Sequence, residues 1–297
     1  MVRSGADQGG EHLGGAGYGG RWRSVAAVFF VTAVALLLAG SIAAGGPARA
    51  EFRVLQLNLC NSGIAGCYTG RSVDQAAAVI RVNRPDVVTL NEICREDVQG
   101  LYQGLRGVYG GDLTWAFQAA ADRRTGGDFH CRNGQPYGIG LLVRLASPDR
   151  GYTTVAGIYP SQDPGDPEER AWLCARVDGS LLVCTTHLAS TSALVAVDQC
   201  HFLFDTAVPW ARGPERAARA VVAGDFNLGT GVFNLVHAGA GDVRACLPAG
   251  YVRADDGAVQ QVLASSGFTI GASDLIDMHG TTDHPGLLVT LRSTRPA

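Results

Sequence analysis

The 297-residue chain contains no lysine; all 24 of its basic residues are arginine. The skew reads as genomic composition, and no function follows from it. Charge of either sign is scarce, at 17% of residues against 46% hydrophobic. That balance suits one large globular domain or two small ones. No internal repeat occurs, and no linker is long enough to separate domains. The eight cysteines include no C-x-x-C pair and no Cys/His cluster at ligand spacing, which excludes a zinc site. Leu38-Ala39-Gly40 is followed by Ser41 instead of cysteine, and Trp22 separates Arg21 from Arg23. A lipid-attachment site and a twin-arginine signal are therefore both missing.

What is present begins with a targeting pattern. Arg21 and Arg23 precede an apolar run from Val25 to about Ala44, and Ala48-Arg49-Ala50 follows as an A-x-A site. The reading is a signal peptide over 1–50, cleaved near Ala50, with one domain over 51–297 and a secreted product. A membrane anchor formed by residues 25–44 is the alternative, because about 20 apolar residues span a bilayer. Cleavage leaves 20 Arg against 25 Asp plus Glu, a formal −5. The basic footprint of a nucleic-acid scaffold is thus absent. An enzyme whose bound cations meet the phosphate remains open.

All eight cysteines follow Ala50, and an even count in an exported chain reads as disulfides. Cys60 and Cys67 close a small loop. Cys174 and Cys184 flank Asp178-Gly179, a hairpin-turn dipeptide, at nearly equal distances. Order alone pairs Cys94 with Cys131 and Cys200 with Cys246.

Strands are expected at Phe52–Leu57, Asp86–Leu90, Gly138–Arg144, Thr153–Tyr159, Ala220–Ala223 and Leu287–Leu291, with a hairpin of Ala171–Val177 and Leu181–Thr186. Ser72 caps a helix with Ala76, Val79, Ile80 and Val82 on one side, stopped by Pro85. A second helix over Ser192–Trp210 presents Leu194, Val197, Phe202 and Phe204. Residues Ala121–Pro136 and Ser161–Glu169 read as loops. Together these elements indicate a single α/β domain.

Polar residues recur where apolar strands end. Asn58, Glu92, His187 and the pair Asp225 and Asn227 each follow a strand, and Asp283-His284 precedes one. Such places hold side chains rigidly yet expose them. Any one of them alone is more simply a turn residue bonding its own backbone. The set of carboxylates, amides and imidazoles instead suits a hard divalent cation with histidines beside a phosphoryl group. His130, His201, His237 and His279 have no evident partner and read as structural or surface residues. Trp115, Trp172 and Trp210 read as core.

The stretches LQLNLCNSG, VVTLNEIC, CTTHLAS, VVAGDFNLG and TTDHPGLLV, in that order, resemble the endonuclease/exonuclease/phosphatase superfamily, the deoxyribonuclease I-like phosphoesterases. The resemblance spans nearly everything after residue 50. It implies a four-layered α/β sandwich, two packed mixed β-sheets flanked by helices, with a site at one edge of both sheets. It further implies Mg²⁺ or Mn²⁺ bound by Glu92, with Asn58 beside the metal or a phosphate oxygen and Asp283 reaching the metal region. Asp225 would orient or deprotonate water, Asn227 would fix that water or the phosphate, and His187 and His284 would bond phosphoryl oxygens. Asp274 would orient His284, with Asp277 as a rival. Next to a carboxylate, each imidazole would be favoured as the cation. Tyr137 and Arg124 are the substrate-side candidates, the latter within an Arg123-Arg124 and Arg132 loop that grips phosphates or is simply solvated.

The sequence departs from that pattern in two places. Cys60 stands where the family often has an acidic or polar group, and Ile139 in YGIGLLVR stands where many members have asparagine. The implied activity is a secreted, monomeric metal-dependent phosphodiesterase, most simply a nuclease acting on extracellular DNA or RNA. A sphingomyelinase-like phospholipase C, a phosphomonoesterase and a catalytically silent binding module are the alternatives. Polar long loops favour nucleic acid over lipid, and the intact polar set argues against a silent module.

Overall fold

The computed structural model describes residues 51–145, 151–177, 181–213, 219–230 and 241–294. The apolar run at 25–44, the Asp178-Gly179 turn and His237 lie outside the described residues. Among the described residues, no helix is long and apolar enough to cross a membrane.

The chain opens with β1 (Glu51–Asn58), α1 (Ser72–Asn83), β2 (Val87–Cys94), α2 (Arg95–Leu105), β3 (Leu113–Ala119), β4 (Ala121–Asp122) and β5 (Tyr137–Arg144). There follow β6 (Tyr152–Ile158), β7 (Glu168–Glu169), β8 (Ala171–Val177), β9 (Leu181–His187), α3 (Ala193–Phe202) and α4 (Val208–Arg212). The last strands are β10 (Arg219–Asp225), β11 (Val252–Asp255), β12 (Gln260–Ala264), β13 (Phe268–Ile276) and β14 (Gly286–Ser293).

Two six-stranded sheets result, ordered β13-β14-β1-β2-β5-β3 and β11-β12-β10-β9-β8-β6. Each has one parallel pair at its centre, β1 with β2 and β9 with β10, and antiparallel strands around it. A parallel pair requires a crossover, supplied by α1 in one sheet and by α3 and α4 in the other. Apolar side chains from both sheets, among them Val54, Leu141, Leu173, Val221 and Val289, form the layer between them. Helix α1 packs on the outside of the first sheet through Ala76, Val79 and Ile80. The α3–α4 segment covers the second through Ala196, Cys200, Phe204 and Val208. This is the expected four-layered sandwich.

Helical details differ from expectation. Ser72 is the first helical residue and Arg71 takes the capping position, without a side-chain bond. Val82, two residues past Ile80 on a 3.6 period, faces away and is 81% exposed. In the later helix Ser192 does cap, its Oγ accepting the Val195 N–H at 3.4 Å. A wider π turn at Leu203–Ala207 then interrupts the 3.6 period ahead of Trp210, which is 64% exposed, while Leu194, before that turn, is 82% exposed. The two segments read as loops meet each other, β4 pairing antiparallel with β7.

All four expected disulfides form: Cys60–Cys67, Cys94–Cys131, Cys174–Cys184 and Cys200–Cys246. Cys174 and Cys184 face each other in the β8–β9 register. A bridge restrains the unfolded chain more when its loop is longer. Replacing Cys200 and Cys246, 46 residues apart, by serine should therefore cost about 2–4 kcal/mol. The same change at Cys60 and Cys67, 7 apart, should cost less. Urea unfolding of both double variants checks the order, and a larger loss for Cys60 and Cys67 would contradict it.

Candidate active site

The carboxyl ends of the two parallel pairs converge. Asn58 lies opposite Asn91 in the register of β1 with β2, and His187 opposite Asp225 in that of β9 with β10. Side chains at these ends leave the sheets on the same side, where a crevice forms. One buried side chain joins the pairs. Asn91 Oδ1 accepts from the Asp225 N–H at 2.7 Å, and its Nδ2 donates to the Thr186 carbonyl at 2.9 Å. Gln56 Nε2 donates to the same Oδ1 at 2.6 Å, and Thr89 Oγ1 donates to Gln56 Oε1. Gly224 permits the close approach, since a Cβ there would stand 2.1 Å from the Thr186 oxygen.

Glu92 reaches the crevice through an irregularity. The pairing of β2 with β5 shifts between Leu90 and Ile93, and Glu92 adopts a φ of 54°. Such a bulge breaks the alternation of side chains and re-aims one of them, at a strain of about 1–3 kcal/mol. The Asn61 N–H holds the turned Glu92 carbonyl at 2.8 Å.

Asn58 stands between two carboxylates. Its Nδ2 donates to Glu92 Oε1 at 2.9 Å and to Asp225 Oδ2 at 3.1 Å, while its Oδ1 accepts the Cys60 N–H. The Asn58 amide thus lies between the two acids, with its oxygen on the backbone N–H of Cys60. Asp225 is 1% exposed. Its Oδ1 accepts the Asn227 N–H at 3.0 Å, and its Oδ2 faces His284 Nε2 at 3.7 Å. Asn227, at a φ of 48°, donates through Nδ2 to the Leu188 carbonyl at 2.9 Å. Asp225 and Asn227 thus make turn-type bonds to the backbone and also line the crevice. Phe226 between them is fully buried and stacks on Phe204.

His187 departs from expectation. Its carboxylate neighbours Glu92 and Glu168 lie 3.9 Å away, but the Arg170 guanidinium touches its ring at 2.7 Å. Burial first, and then the Arg170 charge, hold its pKa well below the usual histidine value. The permanent cation here is Arg170. Arg170 is 5% exposed and bonds Asp166 at 2.7 Å, Glu168 at 2.9 Å and Ser190 Oγ at 3.2 Å. Sequence reasoning misses this group because Glu168 and Arg170 adjoin a segment read as loop. The hairpin register, with Trp172 facing Thr186, brings Arg170 to the His187 end and is the signal that could have found it.

Tyr137 lines the crevice as expected, nearly buried and bonded to Glu168. Arg124 does not join it: its side chain is 77% exposed, and Nε pairs with Asp122 at 3.4 Å. Asp274 does not either. A register shift at Ile270 and Ala272 leaves Ala272–Leu275 exposed on the edge strand β13. The carboxylates paired with His284 are Asp225 and Asp283, the latter at 3.9 Å. The rival Asp277 is exposed and pairs with His279 at 3.0 Å. On the strand beside Asp225 the chain has Gln260, whose Nε2 donates to the carbonyl of Pro285, next to His284.

The resulting cavity measures about 370 Å³, with Glu92, Asp225, Asp283 and His284 in its lining. Burial first, and then the charges of Asp225 and Asp283, push Glu92 above the usual carboxylate range, against the bond from Asn58. The carboxylates Glu92, Asp225 and Asp283 gather in this half-buried crevice, and all-oxygen donors of that kind fit a hard divalent cation. Cys60, Cys67 and Asp283 also bring ligand-type atoms within 4.8 Å of one another, but both sulfurs belong to a disulfide.

Residues 55–284 match the model of the Endonuclease/Exonuclease/phosphatase family. No curated protein matches the chain. Among solved structures, an endonuclease/exonuclease/phosphatase from Beutenbergia cavernae DSM 12333 is 22% identical, with a TM-score of 0.59 over 82% of this chain and 72% of that one. D. rerio TDP2 complexed with single strand DNA product is 18% identical, at 0.53 over 82% and 100%. Bacteroides thetaiotaomicron VPI-5482 mannosyl-6-phosphatase Bt3783 is 14% identical, at 0.53 over 81% and 99%. At these identities the likeness concerns the fold.

Glu168 gives the crevice a pH signature. Burial, only partly opposed by Arg170, pushes its pKa from 4.5 up to about 7. The folded protein therefore keeps a proton that the unfolded chain releases near pH 4.5. The stability this contributes is complete below that pH and is lost as the pH rises through about 7. Glu168→Gln should flatten this part of the stability curve, measured by urea unfolding from pH 4.5 to 8. An unchanged slope would contradict the assignment.

Proposed function

The chain belongs to the Endonuclease/Exonuclease/phosphatase family, whose members are phosphoester hydrolases, and from that premise we propose a secreted, divalent-metal-dependent phosphodiesterase that cleaves nucleic acid. The observation that carries the proposal is the meeting of Glu92, Asp225 and His284 around the Asn58 amide. Those groups come from strand ends in both sheets and the loop before β14, and chemistry is the simplest reason to gather them. The domain spans 51–297, and residues 1–50 export it. Four disulfides favour an oxidising compartment.

Enzymes of this family generally use divalent metal ions. Here Glu92 and Asp283 would hold Mg²⁺ or Mn²⁺, which neutralises a phosphate oxygen when bound. A phosphodiester repels nucleophiles through its own negative charge, so positive groups must meet its oxygens before water can attack. Asp225 orients that water and takes its proton at Oδ2, while Asn227 limits where the water can sit. His284, opposite Asp225 Oδ2, bonds a phosphoryl oxygen, and its placement beside two carboxylates fixes the ring. Arg170 and His187, which line the same cavity, would donate N–H groups to the phosphoryl oxygens. Their charge and hydrogen bonds stabilise the anionic oxygens as negative charge builds on them.

Two relatives of the same fold frame the substrate. The D. rerio protein was solved with a single strand DNA product, and the Bacteroides protein is a sugar phosphatase. The present chain leaves its cavity open, which suits a polymer running past the site.

Asp225→Asn and His284→Ala should each lower the rate about 10²- to 10³-fold on single-stranded DNA with Mg²⁺, with the fold intact by circular dichroism. Excess chelator should abolish turnover. The assay includes RNA, sphingomyelin and a phosphomonoester. Near-normal rates in either variant would refute the roles assigned, and turnover of sphingomyelin or the monoester alone would refute the substrate.

A further inference from the structure

Half of the cavity is not used by the reaction described above. Part of its wall is made by Ile64, Ala65 and Phe129, which come from two separate loops. Ile64 is 55% exposed, an unusual position for an isoleucine beside a polar crevice. The loop that carries it is closed by Cys60–Cys67 and tightened by Ser62 Oγ, which accepts the Ile64 N–H at 3.1 Å. Phe129 lies in the loop closed by Cys94–Cys131 and packs against that bridge. Its N–H bonds the Ala120 carbonyl, its own carbonyl accepts the Tyr137 N–H, and its ring meets Tyr137 edge-on at 5.6 Å.

The two loops are also tied to each other. The Arg132 N–H donates to the Ser62 carbonyl at 2.8 Å, and Gly63, at a φ of 74°, leaves room for the Arg132 side chain. Two disulfides and this cross-link hold the apolar wall in place before any substrate arrives. Cys60, at the base of the first loop, bonds Asn58 Oδ1, so the wall is registered against the catalytic carboxylates. A fixed apolar surface next to a phosphate site costs little ordering entropy when a flat group lands on it.

We propose that Ile64, Ala65 and Phe129 form a subsite for one nucleobase of the substrate, adjacent to the scissile phosphate. The proposal rests on the nucleic-acid reading above and adds where, and through what contact, the polymer is read. A base fits because each carries a flat apolar face and a short tether to a phosphate. Contact with such a face is tolerant of sequence. A cavity of about 370 Å³ has room for a single ring system beside the reacting phosphate. Polar neighbours are few along the wall, so no base is singled out by hydrogen bonding.

The test compares cleavage of a single-stranded DNA 12-mer with that of an abasic 12-mer carrying the same phosphates, both with Mg²⁺. The expected ratio of kcat/KM, base-bearing over abasic, is about tenfold or more, arising in KM. Phe129→Ala and Ile64→Ser should each bring that ratio toward one. Because Ile64 is exposed, its variant folds even if Phe129→Ala weakens its loop. Equal kcat/KM on the two polymers, or a ratio unmoved by both variants, would overturn the subsite while leaving the nuclease intact. Turnover of neither polymer would overturn the nucleic-acid reading and the subsite with it. Binding to phosphatidylcholine and sphingomyelin vesicles that Ile64→Ser abolishes, together with an unmoved ratio, would reassign the wall to a lipid surface.

Discussion

The site depends on Asn91. From the first sheet this one buried amide bonds Thr186 on β9 and Asp225 on β10, across the interior that separates the sheets. Most of the rest between the sheets is apolar packing, which is strong but does not fix one residue against another. A hydrogen bond of 2.7 Å to the backbone of Asp225 does. Asn58 to Asp225 at 3.1 Å and Arg219 to Ser293 at 2.7 Å add polar links at the strand ends. Gln56 and Thr89 complete the amide's bonding on its own sheet, so the link is left wanting no partner. The neighbouring Glu92 is turned toward the crevice by the bulge, and its distance from Asp225 follows from that anchor.

The electrostatics follow from where those strand ends meet. Glu92, Asp225, Asp283, Glu168 and Arg170 all line the cavity, and Arg170 is paired with Asp166 and Glu168. Arg170 is held by two carboxylates, which offset the cost of burying its charge. After burial, the Arg170 charge is the next cause that holds the His187 pKa well below the usual histidine value. The crevice thus combines carboxylates suited to a divalent cation with one permanent cation, Arg170.

Much of this is legible in the sequence because it is local. Strand ends announce themselves by an apolar run that stops at a polar residue, as Val221–Ala223 does before Asp225. Cys174 and Cys184 betray their pairing by flanking a hairpin turn. What the sequence hides depends on contacts between distant segments. Arg170 looks like any charged residue after a proline-rich loop until the hairpin register sets it against His187. Asn91 sits in an apolar run, and nothing nearby reveals that its partner is 134 residues away. Asp274 misleads for the opposite reason: its local pattern is plausible, but an edge-strand register shift turns it outward. The exposure of Trp210 has the same kind of cause, since one π turn before it displaces the face that a 3.6 period would place.

The most direct test of this account replaces the link between the sheets. Asn91→Leu keeps the volume of the side chain but removes its bonds to Asp225 and Thr186. Metal-dependent cleavage of single-stranded DNA by the purified variant would be measured beside its near-ultraviolet circular dichroism. The account predicts a native-like spectrum with kcat lowered about 10²-fold, as expected when a reacting group is displaced by about 1 Å. Cleavage at the unmodified rate by a folded Asn91→Leu protein would contradict it.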